Sequence, residues 1–494
     1  MRRRARAAAL VLAAVSLAHV GSPDTFFGGK AGPYDVRISV RLPGVIPGRA
    51  QVVVRIEGVT TRDTHHVTVR AGQWNVGLNG APPAEVAMPV PGDPALYLAE
   101  LWFMTATSYQ LAVDVDGPVG RGAVVIPVLA LATAERSMPP WLGAVLAGLG
   151  VFLTVGLLTI IGAAVRESGL PPGVEPDAVR RRRARIGVAV AGLLAALALW
   201  GGNRWWAAEA SSYKQSVLYR PFNAAVSVVR QGDRRIVTLS IRDQRWNGIP
   251  APLSRYNALI PDHGKLMHLF LVRVPEPGAL GHLHPIARTA AGLDFDADLP
   301  PLPPGRYRVY GDIVHESGYA QTMVGSVDLD DEVGRSAVPT DVDDSSFSGA
   351  ALPEAPTVSY DLSDGSRLVW ERGDEPIAAG AERDLRFRVQ NAAGAGVTVE
   401  PYMGMAAHVV IVSRDGSVFA HLHPSGSISM AAMQRLTGSV GADSHAGHAR
   451  PLEGRVDIPY AFPKAGAYRV FVQVKRGGTV MTGAFDVNAR VGRQ

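Results

Sequence analysis

The stretch His282-Leu283-His284-Pro285 returns later in the same chain as His421-Leu422-His423-Pro424. Side chains two residues apart on an extended strand point to the same face, so each motif sets two imidazoles side by side. The proline that follows ends the strand and stiffens the connection. The repetition predicts two β domains of common design, each presenting a pair of imidazoles.

The sequence around the two motifs repeats as well. His268 precedes the first motif and His408 the second, by a little over a dozen residues in each case. A matching strand-like segment follows each motif, 307–310 after the first and 468–471 after the second. Ten of the 13 histidines fall in the two copies. A lone histidine is more often a structural residue that bonds a loop or a carboxylate, but this concentration at matching places favours metal binding.

The candidate metal ligands are histidines and methionines near the two motifs. In the first copy they are His263, His268, His282, His284 and Met323. In the second copy they are Met403, Met405, His408, His421, His423 and Met481.

The side chains in these two sets suggest which metal would bind. Imidazole suits copper, zinc and nickel, whereas thioethers select Cu(I). The methionine-rich second set therefore favours Cu(I), and the histidine-rich first set favours Cu(II) or zinc. The chain has no cysteine, which excludes thiolate ligands. We predict copper, as Cu(I) or Cu(II), with zinc as the alternative.

At 494 residues the chain is too long for a single core. Short β-branched runs broken by Gly and Pro are typical of small sandwiches. We predict a mainly β fold with three immunoglobulin-like or cupredoxin-like β-sandwich domains, two transmembrane helices and an N-terminal signal segment. The predicted segments are a signal peptide or anchor (1–21), an N-terminal sandwich (33–133), a transmembrane helix (139–164), an Arg-rich loop (165–185), a second transmembrane helix (186–206), the first copy (212–330), a linker (331–356) and the second copy (357–491).

Two apolar runs indicate a membrane anchor. Residues 141–164 carry no charge and are long enough to span a bilayer, and 186–202 form a second apolar run. The loop between them holds six arginines and three acidic residues, so the positive-inside rule predicts that it faces the cytoplasm. The globular domains would then lie on the extracytoplasmic side of the cytoplasmic membrane. The net charge of +5 is concentrated beside these apolar segments, which favours membrane orientation over nucleic-acid binding.

The amino terminus has a basic start followed by an apolar run, as a secretory signal peptide does. Cleavage after Ala18 would leave His19 as the first residue, with an amine and an imidazole that together chelate Cu(II). Cleavage elsewhere, or retention of the segment as an anchor, is the alternative reading.

A family resemblance rests on segments 265–269 and 403–408 together with the two His-Leu-His-Pro motifs. They resemble a pattern in uncharacterised bacterial envelope proteins with YtkA-like or heavy-metal-associated immunoglobulin-like domains. The resemblance covers about residues 257–487 and does not extend to the N-terminal unit. It implies a metal-handling role.

These observations predict a membrane-anchored extracytoplasmic protein for copper storage, delivery or sensing. Its partners would be the cytoplasmic membrane and another envelope metal-handling protein. We find no phosphate loop, nucleophile elbow or HExxH motif, so no enzymatic activity is predicted. Two alternatives stay open: a structural or protein-interaction module of the envelope without metal, and an oxidase or oxygenase that uses a His19 brace.

Overall fold

The structure is a computed structural model that describes residues 24–59, 65–135, 137–246, 252–289, 292–330, 341–349, 357–438 and 452–492. The signal segment predicted at 1–21, including His19, lies outside the described residues. Strands make up 48% and helices 18% of the chain, which confirms the predicted mainly β fold. Two compact units are present: a helical unit, Gly44–Ile46 with Ala132–Tyr219, and a β unit that holds the described remainder.

The β unit begins with one antiparallel sheet whose strands follow the order β1-β2-β3-β6-β5-β4-β7-β8. The Tyr34 hydroxyl donates to the carbonyl oxygen of Gly120, which brings the start of β2 next to β8. The predicted start at residue 33 missed β1, because Thr-Phe-Phe-Gly-Gly-Lys-Ala lacks polar–apolar alternation. The eight strands are β1 (Thr25–Ala31), β2 (Tyr34–Arg41), β3 (Gly48–Ile56), β4 (His66–Gln73), β5 (Glu85–Val90), β6 (Asp93–Phe103), β7 (Ser108–Gly117) and β8 (Gly120–Leu129).

The helical unit contains α1 (Pro140–Glu167) and α2 (Ala178–Ser216). Pro140 opens α1, and the Asp177 side chain accepts a hydrogen bond from the backbone N–H of Arg180 to cap α2. Both helices are long and apolar enough to cross a membrane, with mean hydropathies of 2.5 and 1.8 over their most apolar windows. The second helix is longer than predicted at both ends, and it includes the basic residues 180–185.

The first copy follows as two antiparallel sheets that share a core. A small sheet has the order β14-β15-β10-β9, and a larger one has β16 paired with β11, β12 and β17, then β13 and β18 beyond β12. Leu239 of the small sheet lies against Gly311 of the large sheet. The strands are β9 (Ala224–Gln231), β10 (Arg234–Ile241), β11 (Leu259–Ile260), β12 (His268–Arg273), β13 (Ala279–Leu283), β14 (Ile286–Ala287), β15 (Asp294–Asp298), β16 (Gly305–His315), β17 (Ala320–Leu329) and β18 (Ser345–Ser348).

The second copy repeats this plan. Its sheets have the orders β19-β20-β22-β27 and β21-β29-β28-β24-β25, and residues from both fill one hydrophobic core. A two-stranded pairing, β23 with β26, lies beside them. Its elements are β19 (Ser359–Asp361), β20 (Arg367–Trp370), β21 (Ile377–Ala378), β22 (Arg383–Gln390), β23 (Thr398–Val399), β24 (His408–Ser413), β25 (Phe419–Leu422), α3 (Met430–Thr437), β26 (Leu452–Glu453), β27 (Arg455–Tyr460), β28 (Gly466–Arg476) and β29 (Thr479–Arg490).

The larger sheets of the two copies pack against each other face to face. Phe419 of the second copy stacks on Tyr310 of the first, with ring centroids 4.0 Å apart, and also contacts Phe270 at 5.3 Å. Strands β12 and β24 are therefore covered on both faces, which accounts for their nearly unbroken apolar sequences. One compact core thus joins two copies that the sequence predicted as separate domains.

The predicted linker at 331–356 contains a structural element. Ser345–Ser348 form β18, which pairs antiparallel with β13 over Ala279–His282 and extends the first copy past residue 330. Its sequence, Ser-Ser-Phe-Ser, has no apolar periodicity, and only pairing with a neighbouring strand makes it extended. Residues 331–340 and 350–356 of the predicted linker lie outside the described part of the chain.

Candidate metal centre

Both His-Leu-His-Pro motifs lie at the ends of equivalent strands, β13 and β25. The imidazole centroids of His282 and His284 are 4.7 Å apart, and those of His421 and His423 are also 4.7 Å apart. The side-by-side arrangement follows the alternation of an extended strand. Each motif strand pairs with a strand that opens on the preceding histidine, β12 with His268 and β24 with His408.

A tight turn precedes each of those histidines. In the first copy, Asp262 and Lys265 exchange backbone hydrogen bonds around His263, and in the second, Tyr402 and Met405 do the same around Met403. His263 and Met403 have φ values of 52° and 50°, and they are the non-glycine residues with positive φ in the described chain. Such a conformation costs free energy and persists where the surroundings impose it. In each turn, therefore, the surrounding fold holds one non-glycine residue in a backbone conformation that such residues rarely adopt.

The face-to-face packing of the copies gathers the imidazoles into one cluster. Neighbouring rings in it have centroids 4.7 to 6.2 Å apart. Within it, two sets of three nitrogen atoms lie within 4.8 Å of one another. The first group is His268, His282 and His284, and the second group is His263, His408 and His423. The seventh ring, His421, lies between them, with its centroid 5.2 Å from that of His268 and 5.5 Å from that of His408.

In the first group, protein acceptors hold the outer nitrogens of two rings. Nδ1 of His284 donates to the Asp344 carboxylate (3.0 Å), and Nδ1 of His282 donates to the Gln473 amide oxygen (2.7 Å). These bonds leave a lone pair on Nε2 of both rings, as the outer partners of metal-bound histidines do. His268 has Nε2 3.3 Å from the backbone oxygen of Asp262 and Nδ1 3.3 Å from Nε2 of His282, and its single ring proton can serve either contact.

The inner nitrogens of the first group face one another. Nδ1 of His268 lies 3.3 Å from Nε2 of His282, which carries a lone pair. Nε2 of His284 is buried and has no hydrogen-bond partner among the described residues. A buried lone pair without a partner costs free energy, and a cation bound by the inner nitrogens would satisfy it.

The second group crosses between the copies. The ring centroid of His263 is 5.4 Å from that of His408 and 5.1 Å from that of His423. The sequence had assigned His263 to the set of its own copy, but the turn carries it over to the second copy. His408 is fully buried, and neither of its ring nitrogens has a hydrogen-bond partner within the described ranges. Nδ1 of His423 donates to the backbone oxygen of Ile428 (3.2 Å), which leaves Nε2 with its lone pair.

Burial favours the neutral form of several imidazoles in the cluster. It lowers the pKa of His268, His282 and His408 well below the ordinary value, and the neighbouring imidazoles lower it further. Burial likewise lowers the pKa of His423 to about 4. The neutral ring is the form that binds metals, so the cluster needs little deprotonation at neutral pH. Burial, helped by nearby Asp262, raises the pKa of the Asp312 carboxyl to about 7.

Two predicted methionine ligands lie away from the cluster. Met323 pairs with Gly311, which alternates with Tyr310 and Asp312 and so faces the core of the first copy. Met481 pairs with Val474 and packs in the core of the second copy. Both predictions of site membership are wrong, because each methionine is on the sheet face opposite to the histidines.

The two turn methionines differ from each other. Met403 is buried and has the turn position that His263 has in the first copy. Met405 is half-buried and corresponds to Lys265, whose ammonium group forms an ion pair with Asp341. The correspondence favours a surface position for Met405, whereas Met403 stays a candidate ligand.

Sequence reasoning missed the residues that hold the rings. Gln473 and Asp312 are equivalent, since the former pairs with His408 and the latter with His268. Nδ1 of His421 lies 3.3 Å from the Asp312 carboxylate, just as His282 bonds Gln473, so each copy supports the other's motif. Alignment of the segments that begin Tyr-Arg-Val would have found the pair, but not that the support crosses between copies.

One family model matches part of the chain. The family model that matches is described as a domain of unknown function (DUF8832), and it covers residues 361–491, essentially the second copy. No curated protein matches the chain.

Solved structures match only weakly. One is a tetra-tandem repeat in the extending region of a large adhesion protein, at 9% identity and a TM-score of 0.16, covering 91% of this chain and 73% of that one. Another comprises the FN1–FN3 domains of chicken CNTN1, at 8% identity and a TM-score of 0.14, covering 94% of this chain and 99% of that one. Likenesses at these TM-scores carry no argument about fold or function.

Proposed function

We propose that this protein is a membrane-anchored metal-binding protein of the cell envelope that handles copper through its buried histidine cluster. The observation that carries the proposal is the pair of three-imidazole groups, in each of which the nitrogen atoms lie within 4.8 Å of one another. Hydrogen bonding alone does not explain this arrangement, because Nε2 of His284, Nε2 of His423 and both ring nitrogens of His408 are buried without a hydrogen-bond partner among the described residues. A metal ion with imidazole ligands and bonded outer nitrogens accounts for it.

The available ligands favour copper. Imidazoles bind both copper and zinc, and the chain offers no thiolate. Three imidazoles suit copper and also suit zinc in a site with one open position. The buried Met403 remains a candidate ligand, and its thioether favours Cu(I) over zinc. Burial of both groups shields a bound ion from water, which suits storage, delivery or sensing better than hydrolysis.

The anchor would hold the cluster outside the cytoplasm. Both apolar helices are long enough to cross a bilayer, and basic residues 180–185 at the start of α2 favour a cytoplasmic connection between them. The β strands on either side of the helices would then be extracytoplasmic. In that location the cluster would exchange copper with another envelope protein.

Metal analysis of the full chain in detergent tests the proposal. The purified protein would be equilibrated separately with Cu(I), Cu(II) and Zn(II), freed of loose metal, and its bound metal counted. We expect about two copper ions per chain, one fewer after His284→Ala, and no change after His66→Ala, an exposed histidine outside the cluster. Wild-type protein that folds but retains none of the three metals would contradict the proposal and favour an interaction module.

A further inference from the structure

We infer that the turn of each copy supplies a ligand to the group beside the other copy. Met403 of the second copy completes the first group, and His263 of the first copy completes the second group. The two groups are therefore chemically unequal. The first group becomes a His3Met site that prefers Cu(I), and the second an all-histidine site that prefers Cu(II) or zinc. The inference rests on the proposed metal-binding function. It reverses the assignment expected from the sequence, which gave the methionine to the second copy's own site.

The turn of the first copy reaches the second copy through contacts on both of its leading residues. Asp262 accepts a hydrogen bond from the backbone N–H of Ala431 in α3 (2.8 Å). The next residue, His263, approaches His408 and His423. The turn of the first copy thus supplies His263 as a ligand to the second group.

The turn of the second copy makes the reciprocal crossing. Tyr402, which corresponds to Asp262, donates its hydroxyl to the backbone oxygen of Asp343 in the first copy (3.0 Å). The same hydroxyl lies 3.1 Å from Nδ1 of His282, within the first group. Met403 follows Tyr402 as His263 follows Asp262, with the same backbone conformation and with its side chain buried. The pseudo-symmetry therefore directs its thioether toward the first group.

Carboxylates lie beside both groups, so the hydrogen-bond partners do not separate the groups by charge. In the first group His282 bonds the neutral amide of Gln473, but His284 bonds the Asp344 carboxylate. His421, beside the second group, faces the Asp312 carboxylate. The turn residues therefore make the difference, and the thioether of Met403 favours Cu(I) in the first group.

Matched substitutions in the full chain in detergent test this assignment. Cu(I) affinity would be measured anaerobically by competition with bicinchoninate, Zn(II) affinity by competition with a chromophoric chelator, and copper ligation by X-ray absorption. For Met403→Leu we expect one Cu(I) site to weaken at least about tenfold and the sulfur scatterer to disappear, with Zn(II) affinity unchanged. Met405→Leu should leave all three readouts at wild-type values. His263→Met should add a second sulfur scatterer and weaken Zn(II) binding.

The outcomes separate this inference from the proposed function. Wild-type protein that binds copper through nitrogen and oxygen alone, with Met403→Leu indistinguishable from it, would overturn the inference and leave the metal site standing. Absence of any metal binding would overturn both. Equal thermal unfolding of Met403→Leu and Met405→Leu would show that a loss of Cu(I) binding is not a loss of fold. If Met403→Leu instead unfolds, sulfur ligation in the wild-type protein still decides the question.

Discussion

The Nδ1–H of His282 donates to the amide oxygen of Gln473, 2.7 Å away and 191 positions later in the chain. Gln473 in turn donates its amide N–H to Ser345 of β18 (2.8 Å), and all three residues are buried. This single side chain ties the motif of the first copy to the second copy. It also sets which nitrogen of His282 can bind a metal.

Replacement of Gln473 by leucine should therefore affect both stability and metal binding. It leaves the His282 N–H and the Ser345 hydroxyl without this partner, a loss of about 1–3 kcal/mol for a buried polar group. Metal affinity of the first group should fall about 10–100-fold, as for other outer partners of metal-bound histidines. Chemical denaturation and metal competition would measure the two effects. Gln51→Leu, on an exposed strand position, serves as control and should change stability by less than about 0.5 kcal/mol.

Breaking the buried ion pair of the second copy by removing one partner should be strongly destabilising. Arg469 forms a two-point pair with Asp486 (2.8 and 2.9 Å) and also donates to the backbone oxygen of Pro277 in the first copy (3.0 Å). Arg469→Leu leaves the Asp486 charge buried without this pairing, at a cost of about 3–5 kcal/mol. Replacing both Arg469 and Asp486 by leucine should lower the free energy of unfolding less than Arg469→Leu alone does. A double variant as unstable as the sum of two single variants would contradict this account.

The metal-free protein should lose stability as the pH falls from about 6.5 to about 4. Burial lowers the pKa of His315 to about 4, although its Nδ1 donates to the backbone oxygen of Asn257. In this range the unfolded chain takes up a proton on His315 and the folded chain does not, so acid favours unfolding. The shift corresponds to about 3 kcal/mol, since one pKa unit is worth about 1.4 kcal/mol.

His423, whose pKa also falls to about 4, should act in the same direction, as should His268, His282 and His408, whose pKa is lowered by burial. The Asp312 carboxyl, whose pKa rises to about 7, opposes them, but the histidines are more numerous. Urea denaturation at a series of pH values would measure the loss. His315→Gln should flatten the curve, whereas the exposed His66→Gln should leave it unchanged. A free energy of unfolding that stays constant between pH 6.5 and pH 4.5 would contradict the prediction.

Single cysteines can test the orientation of the anchor, because the chain has none of its own. Glu175→Cys lies between α1 and α2, and Asp233→Cys lies in the exposed turn between β9 and β10. We expect a membrane-impermeant maleimide applied to intact cells to label residue 233 and not residue 175. Permeabilised cells should allow both positions to react. The opposite pattern in intact cells would reverse the proposed topology.

Some of the site follows from local patterns. The period of an extended strand is two, so the pairing of His282 with His284 and of His421 with His423 could be predicted without coordinates. The same period does not predict on which face of the sheet the two core methionines lie. Met323 and Met481 occupy corresponding positions in the two copies, but the side chain of a strand residue reverses its face with a one-residue change of register. Register is set by the partner strand, and sequence spacing does not reveal it.

Periodicity and composition within short segments are sufficient to predict the mainly β fold, the two long apolar helices and the duplicated histidine pair. The position of His263 beside the second copy, and the support of each motif by Gln473 or Asp312 of the opposite copy, depend on tertiary packing. The shared core of the two large sheets depends on it as well. Those relationships join residues more than a hundred positions apart, and they depend on how two apolar sheet faces pack once both have formed.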